Sequence, residues 1–176
     1  MNLAALFFDV ARRLPCQPAV GDDRSAWRYG ELAERVERVA GGLRAYGLDP
    51  GDRVLLSLEN CAEFFELLLG CWAAGLCAVP LNARLHPREV EYIAANSGAR
   101  LLVATPALAA ALAPLANSVA SLGRVLSTRS SGYQTFLTAG GPVHHDAGAP
   151  TDPAWLFYTS GTTGRPKGAV LTHRNL

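Results

Sequence analysis

Apolar positions in the first fifty residues recur at helical spacing. Leu3, Leu6, Phe7, Val10 and Leu14 lie three or four apart and predict an amphipathic helix. Pro15 and Pro18 then mark a loop. Residues 19–21 and 25–29 flank the turn-forming Asp22-Asp23-Arg24, which predicts a small hairpin. Leu32, Val36, Val39, Leu43 and Tyr46 share one face of a second helix, which Gly47 is placed to end. Asp49-Pro50-Gly51-Asp52 reads as a turn.

From there the pattern alternates. Residues 53–58 predict a strand, 62–73 a helix and 77–80 a strand. Residues 87–97 predict a helix with Glu89 in its first turn and Gly98 as its stop. A strand follows at 100–104, a helix at 106–116 and the start of another strand at 125–126. Residues 137–151, rich in Gly, Pro and Ala, read as a loop or linker. Residues 154–158 read as a buried strand, and 168–171 are again strand-like. Strand–helix–strand alternation with short connections implies parallel strands joined by crossover helices. The fold class is therefore α/β, a layered α/β/α arrangement on a mostly parallel sheet, with a small N-terminal hairpin.

Composition narrows the function. The 176 residues are 49% apolar and 18% charged, a globular balance. Sixteen basic against fifteen acidic side chains give a net charge of +1, so no excess of positive charge calls for nucleic acid or an anionic membrane. Residues 67–81 are too short to span a bilayer and are broken by Gly70, Gly75 and Pro80. Residues 101–122 carry Pro106, Pro114, Asn117 and several hydroxyls, and suit a strand and an Ala-rich helix better. The N-terminus lacks a basic region, and Asp9 interrupts a short apolar run, unlike a signal peptide. Cys16, Cys61, Cys71 and Cys77 form no C-x-x-C pair and no zinc spacing, and read as reduced, mostly buried thiols of a cytoplasmic protein. His144-His145-Asp146 could contribute to a metal site, but adjacent histidines do not by themselves converge on one ion, and a solvated loop is the simpler reading.

The chemistry concentrates in residues 159–168, TSGTTGRPKG. Gly161, Gly164 and Gly168 allow close backbone approach. Thr159, Ser160, Thr162 and Thr163 supply hydroxyls, and Lys167 supplies a mobile cation. Between two strand-like segments, this set suits a loop folding over a polyphosphate. The P-loop pattern does not fit, because Lys167 follows Pro166 and precedes Gly168; G-x-G-x-x-G is absent here too.

With WLFY before it and AVLTHRNL after it, this string resembles the phosphate-loop signature of the adenylate-forming (AMP-binding) superfamily, of the acyl-CoA synthetase type. The segments WRYGELAERVERVAGGLRAYGLDPGDRV and LENCAEFFELLLGCWAAGLCAVPLNARLHPREVEYIAANSGARLLVA resemble the N-terminal region of that superfamily. The resemblance implies that residues 1–176 are the N-terminal part of an AMP-binding domain, with residues 159–168 as its phosphate loop. Thr159, Ser160, Gly161, Thr162, Thr163, Gly164 and Lys167 are then the ATP phosphate-binding residues. It implies ATP, Mg²⁺ and coenzyme A as cofactors and substrates, and a fatty or aryl carboxylic acid converted to an acyl-adenylate and then a thioester. The catalytic lysine, the adenine and ribose motifs, the acid pocket and the C-terminal domain are expected downstream. The 176-residue piece is thus expected to be an inactive fragment that self-associates through an exposed sheet edge near residues 154–171. Two other readings stay open: an ATP-binding regulatory module without ligase chemistry, and an α/β interaction module. Trp72 and Trp155 are expected in the core and Trp27 on the hairpin. Asn60 and Asn82 are expected as caps or turn residues. His173 is expected either near the acyl site, by resemblance, or as a polar helix start.

Overall fold

A computed structural model describes residues 2–141, 148–159 and 165–176. Its organising strand is β3 (Arg53–Ser57), where Val54 and Leu56 face one core and Leu55 faces another. That split follows from the two-residue period of an extended chain. A strand buried on both faces needs a layer on each side. The first layer contains α1 (Leu3–Arg13), α2 (Tyr29–Ala45), α3 (Glu63–Ala73) and α7 (Ser131–Ala139). The second contains α4 (Pro87–Ser97), α5 (Pro106–Leu112) and α6 (Leu115–Ser118).

The remaining strands are β4 (Cys77–Leu81), β5 (Leu101–Ala104), β6 (Arg124–Ser127), β7 (Pro153–Thr159) and β8 (Lys167–Thr172). Among the described residues they form one sheet in the order β6-β5-β3-β4-β7-β8. Leu55 pairs with Val79 on one side and Leu102 on the other, both in parallel register. Only the pairing of β7 with β8 is antiparallel. A separate antiparallel hairpin joins β1 (Pro18–Gly21) to β2 (Ala26–Arg28). Asp22 shapes its turn by accepting from the backbone N–H groups of Arg24 and Ser25 at 2.7 and 2.8 Å. The layered α/β class and the hairpin stand as expected.

Helix ends follow their local chemistry. Glu89 accepts from the His86 N–H at 2.9 Å, with Pro87 opening α4. Gly98 closes that helix in the left-handed region, at φ 61°. Three expectations need correction. The helix expected over 106–116 is two pieces, because Pro114 lacks an N–H and its ring clashes with the preceding turn. The loop expected from Leu137 begins only after α7 ends at Ala139. Ser130 caps that helix by accepting from the Tyr133 N–H at 3.0 Å. The strand expected to be buried at 154–158 buries only Ala154, and Phe157 is 46% exposed. The two helical layers crowd β3, β4 and β5 and leave β7 half-covered and β8 open to solvent.

Trp72 is buried, whereas Trp155 is half-buried and packs against the first core. Trp27 lies on the hairpin with the Arg35 guanidinium 4.2 Å from its ring centre. The four cysteines are unpaired; Cys71 and Cys77 are buried, Cys61 is half-buried and Cys16 is exposed, so two of the four are buried rather than most. Among the described residues, no helix is long and apolar enough to cross a membrane.

A close helix contact in the first layer depends on Gly70. A Cβ there would overlap the Val39 side chain across the α2–α3 interface. Overpacking costs about 1–3 kcal/mol, against about 1 kcal/mol of helix propensity gained by replacing glycine with alanine. Because Val39 is β-branched and stiff, the clash should win. Gly70→Ala is expected to lower the midpoint of chemical denaturation, and an unchanged or raised midpoint would contradict this packing.

Candidate functional site

The phosphate-loop candidate closes the β7–β8 hairpin. Thr159 pairs directly with Lys167 in antiparallel register, so the chain leaves the sheet and returns to it side by side. Ser160, Gly161, Thr162, Thr163 and Gly164 lie outside the described residues, as do His144, His145 and Asp146. Directly opposed residues project to the same face, and so do residues two apart on a strand. Thr159 and Lys167 therefore share the face that carries Trp155 and Phe157. Both are exposed. The opposite face is tied to α4. The Tyr158 hydroxyl donates to Asn96 Oδ1 at 2.7 Å, and the Arg165 guanidinium lies 5.9 Å from the Tyr92 ring centre. The root of the loop is thus held from behind while its two described ends face forward.

β7 runs parallel to β4, so this loop leaves the same end of the sheet as the connections after β3 and β4. Those two connections diverge. The chain after β3 enters α3 on the first face, and the chain after β4 enters α4 on the second and crosses back over β3 to reach β5. Diverging connections leave a crevice at the carboxyl ends of the strands, the position where open α/β sheets bind ligands. A cleft of about 910 Å³ lies there. The loop after β3 (residues 58–61), the loop after β4 (residues 82–84), Phe64, Phe65, Phe157 and the β1 end of the hairpin form its walls. Asn82 accepts from the Arg84 N–H at 2.9 Å, the turn role expected of it. This turn presents Arg84, and the described lining residues also include the carboxylates Asp22 and Glu59. The lining is mainly apolar.

The profile of the AMP-binding enzyme family matches residues 7–176. The chain belongs to that family. Feruloyl-CoA synthase of an Amycolatopsis species is 43% identical over 166 residues, which are 94% of this chain and 32% of that protein. The fatty acid–[acyl-carrier-protein] ligase ScoC of Streptomyces coeruleorubidus is 36% identical over 170 residues, covering 94% of this chain and 32% of its own length. A solved benzoate CoA ligase from Burkholderia xenovorans LB400 superposes with a TM-score of 0.88 at 29% identity, covering 99% of this chain and 35% of that one. The chain thus spans about a third of the length of the relatives it matches.

In this member of the family, a charged network missed by sequence reasoning holds the cleft wall. Glu63 and Glu66, both buried, lie on α3. Glu63 takes a two-point contact from Arg129, at 2.5 and 2.9 Å. That contact holds its carboxyl below the usual carboxylate range. Glu66 accepts from Arg35 and, at 2.5 Å, from the Tyr133 hydroxyl, while burial pushes its carboxyl upward. Between them these pairs lock α3 to α2, to α7 and to the turn before α7, where Arg129 adopts φ 62°. Asp22 reaches the same place by accepting from the Ala62 N–H at 2.8 Å, and this and its turn contacts lower its pKa. Cys61, in the cleft wall, is pushed up to about 11 by burial and by Glu63, so its thiol stays protonated and inert near neutrality. A signal was available: two acids three apart on a helix otherwise rich in Phe, Leu and Trp must meet partners when that helix is buried.

Among the described residues, no three His, Cys, Asp or Glu side chains converge as a metal cage. Hydroxyl and lysine groups such as Thr159 and Lys167 suit phosphate oxygens, and Mg²⁺ in such a site is carried by the nucleotide's phosphates.

Removing Arg129 would strand the carboxylate of Glu63, whose side chain is only 7% exposed, whereas that of Arg129 is 29% exposed. Arg129→Ala is therefore expected to cost about 3 kcal/mol, the lower end for breaking a buried pair. Because the folded pKa of Glu63 is depressed, its contribution is complete above the unfolded carboxylate pKa and is lost as pH falls through the folded value. Denaturation at a series of acidic pH values should show a shallower loss of stability in the variant than in the wild type. Parallel curves would refute the pairing.

Proposed function

We propose that this chain supplies the ATP-phosphate-handling part of an AMP-forming acid–thiol ligase acting on a fatty or aryl carboxylic acid, with coenzyme A as the thiol acceptor, in the cytoplasm. The observation that carries the reading is the register pairing of Thr159 with Lys167. It brings both ends of TSGTTGRPKG together on the face that Phe157 shares with the cleft. Family membership and the names of the relatives, which include a feruloyl-CoA synthase and a fatty acid ligase, support the acid class.

In the first step an oxygen of the substrate carboxylate attacks the α-phosphorus of ATP, and pyrophosphate leaves. In the second the thiol attacks the acyl carbon, and AMP leaves. Charge grows on the departing β- and γ-phosphates, and a prepositioned cation lowers that barrier. Lys167 fills this role, Thr159 with Ser160, Thr162 and Thr163 supplies hydroxyl donors, and Gly161 and Gly164 permit close backbone approach. Mg²⁺ enters as the counter-ion of ATP. The proposal places the catalytic lysine and the adenine, ribose and acid contacts outside residues 1–176. A polypeptide of those residues alone would then be inert, since losing the positioning of reactants can forfeit about 7–11 kcal/mol of barrier reduction. It would also pair with a second copy through β8, an exposed edge on which Val170 is 57% exposed.

The complete protein is expected to exchange labelled pyrophosphate into ATP when given its acid. ATP binding without exchange across a broad panel of fatty and aryl acids would replace the ligase with a regulatory ATP-binding module. A charge-assisted contact to phosphate contributes about 1.5–3 kcal/mol, so Lys167→Ala should slow adenylation about 10- to 100-fold. An unchanged rate would show that Lys167 points away from the nucleotide. Light scattering that finds residues 1–176 monomeric at high concentration would remove the β8 pairing.

A further inference from the structure

The loop hairpin has a root as well as a tip, and the root converges on two side chains that the proposed chemistry does not use. On β7, the buried carbonyl of Ala154 accepts from Trp72 Nε1 of α3 at 2.7 Å. One residue past β8 stands His173, 6% exposed, with its ring edge-on to Trp72 at 5.8 Å between centres. Its Nδ1 accepts from the N–H of Leu3, the first residue of α1, at 3.3 Å. The backbone N–H of His173 donates to the Asp152 carbonyl at 3.2 Å, and that of Arg174 donates to the Pro150 carbonyl. His173 is therefore a buried residue of the turn that follows β8. It contributes to the capping of α1, whose Ala5 N–H is taken by the Asn2 side chain.

We propose that His173 and Trp72 are positioning residues that fix the base of the phosphate-loop hairpin to α1 and α3, and that the His173 contact holds only while the imidazole is neutral. The reason is donor and acceptor arithmetic. A helix N-terminal N–H needs an acceptor, and Nδ1 accepts only when the ring proton is on Nε2; an imidazolium presents a donor there and meets the N–H head-on. Burial lowers the pKa of His173; Asp152, from the turn before β7, opposes this, and α3 contributes the uncharged Trp72. With the folded pKa lowered, the contact stays intact through the ordinary histidine range and is lost only as pH falls below it, through the folded value. The inference rests on the proposed phosphate role of the loop only for its kinetic consequence.

The test uses the complete protein as wild type, His173→Ala and His173→Asn. Asparagine places Oδ1 where Nδ1 stood and does not titrate. At neutral pH, His173→Ala should speed amide hydrogen exchange in residues 153–159 and 167–172 about tenfold, the loss of roughly one buried hydrogen bond, whereas His173→Asn stays near wild type. In pyrophosphate exchange, kcat/KM for ATP should fall on the acid side of the histidine range in wild type, and that limb should be absent in His173→Asn. Equal protection in all three proteins would overturn the anchor, whether or not exchange chemistry is seen. An acid limb retained in His173→Asn would overturn its dependence on a neutral ring. Protection lost in His173→Ala, in a protein that exchanges no pyrophosphate, would support the anchor and overturn the ligase reading instead.

Discussion

Everything in this fold depends on burying both faces of β3, β4 and β5. Leu55, Val79 and Leu102 fill one core, and Val54, Leu56, Leu101 and Val103 fill the other. Two buried faces require helices on both sides, so successive connections must leave the sheet toward opposite layers. That divergence opens the cleft at the carboxyl ends of β3 and β4. The position of the cleft is thus a consequence of hydrophobic burial, with no side chain specifically required to create it.

A second level of organisation is electrostatic. Glu63 and Glu66 sit in a helix that is otherwise apolar, and each is matched by an arginine from another element. Such pairs add little net stability compared with apolar packing, because desolvation offsets the attraction. What they add is register: α3 can dock in only one orientation relative to α2 and α7 without stranding a charge. Since the loop before α3 is a wall of the cleft and Trp72 on α3 grips β7, that orientation passes directly to the cleft and to the hairpin.

Much of this was legible from residue patterns. Residues 87–97 form the expected helix because Pro87, Glu89 and Gly98 carry its start and stop locally. The strand at 101–104 and the hairpin at Asp22 were readable for the same reason: their signals act within a few residues. The break at Pro114 was also written in the chain and outweighed the alanine-rich periodicity around it. The α7 helix was missed although Ser130 and the Tyr133, Phe136 and Leu137 spacing mark it, because Gly-rich sequence follows immediately.

By itself, then, the sequence determined the layered α/β class and the ends of helices such as α4, since propensity and capping are local properties. Only the tertiary structure decided that Thr159 and Lys167 stand side by side, that β7 is half-covered and β8 an open edge, and that His173 belongs to the cap of α1, some 170 residues away along the chain. It also decided which arginine each buried glutamate meets. Those facts are pairings between distant segments. They are set by which faces the two cores leave available, and no local pattern encodes them.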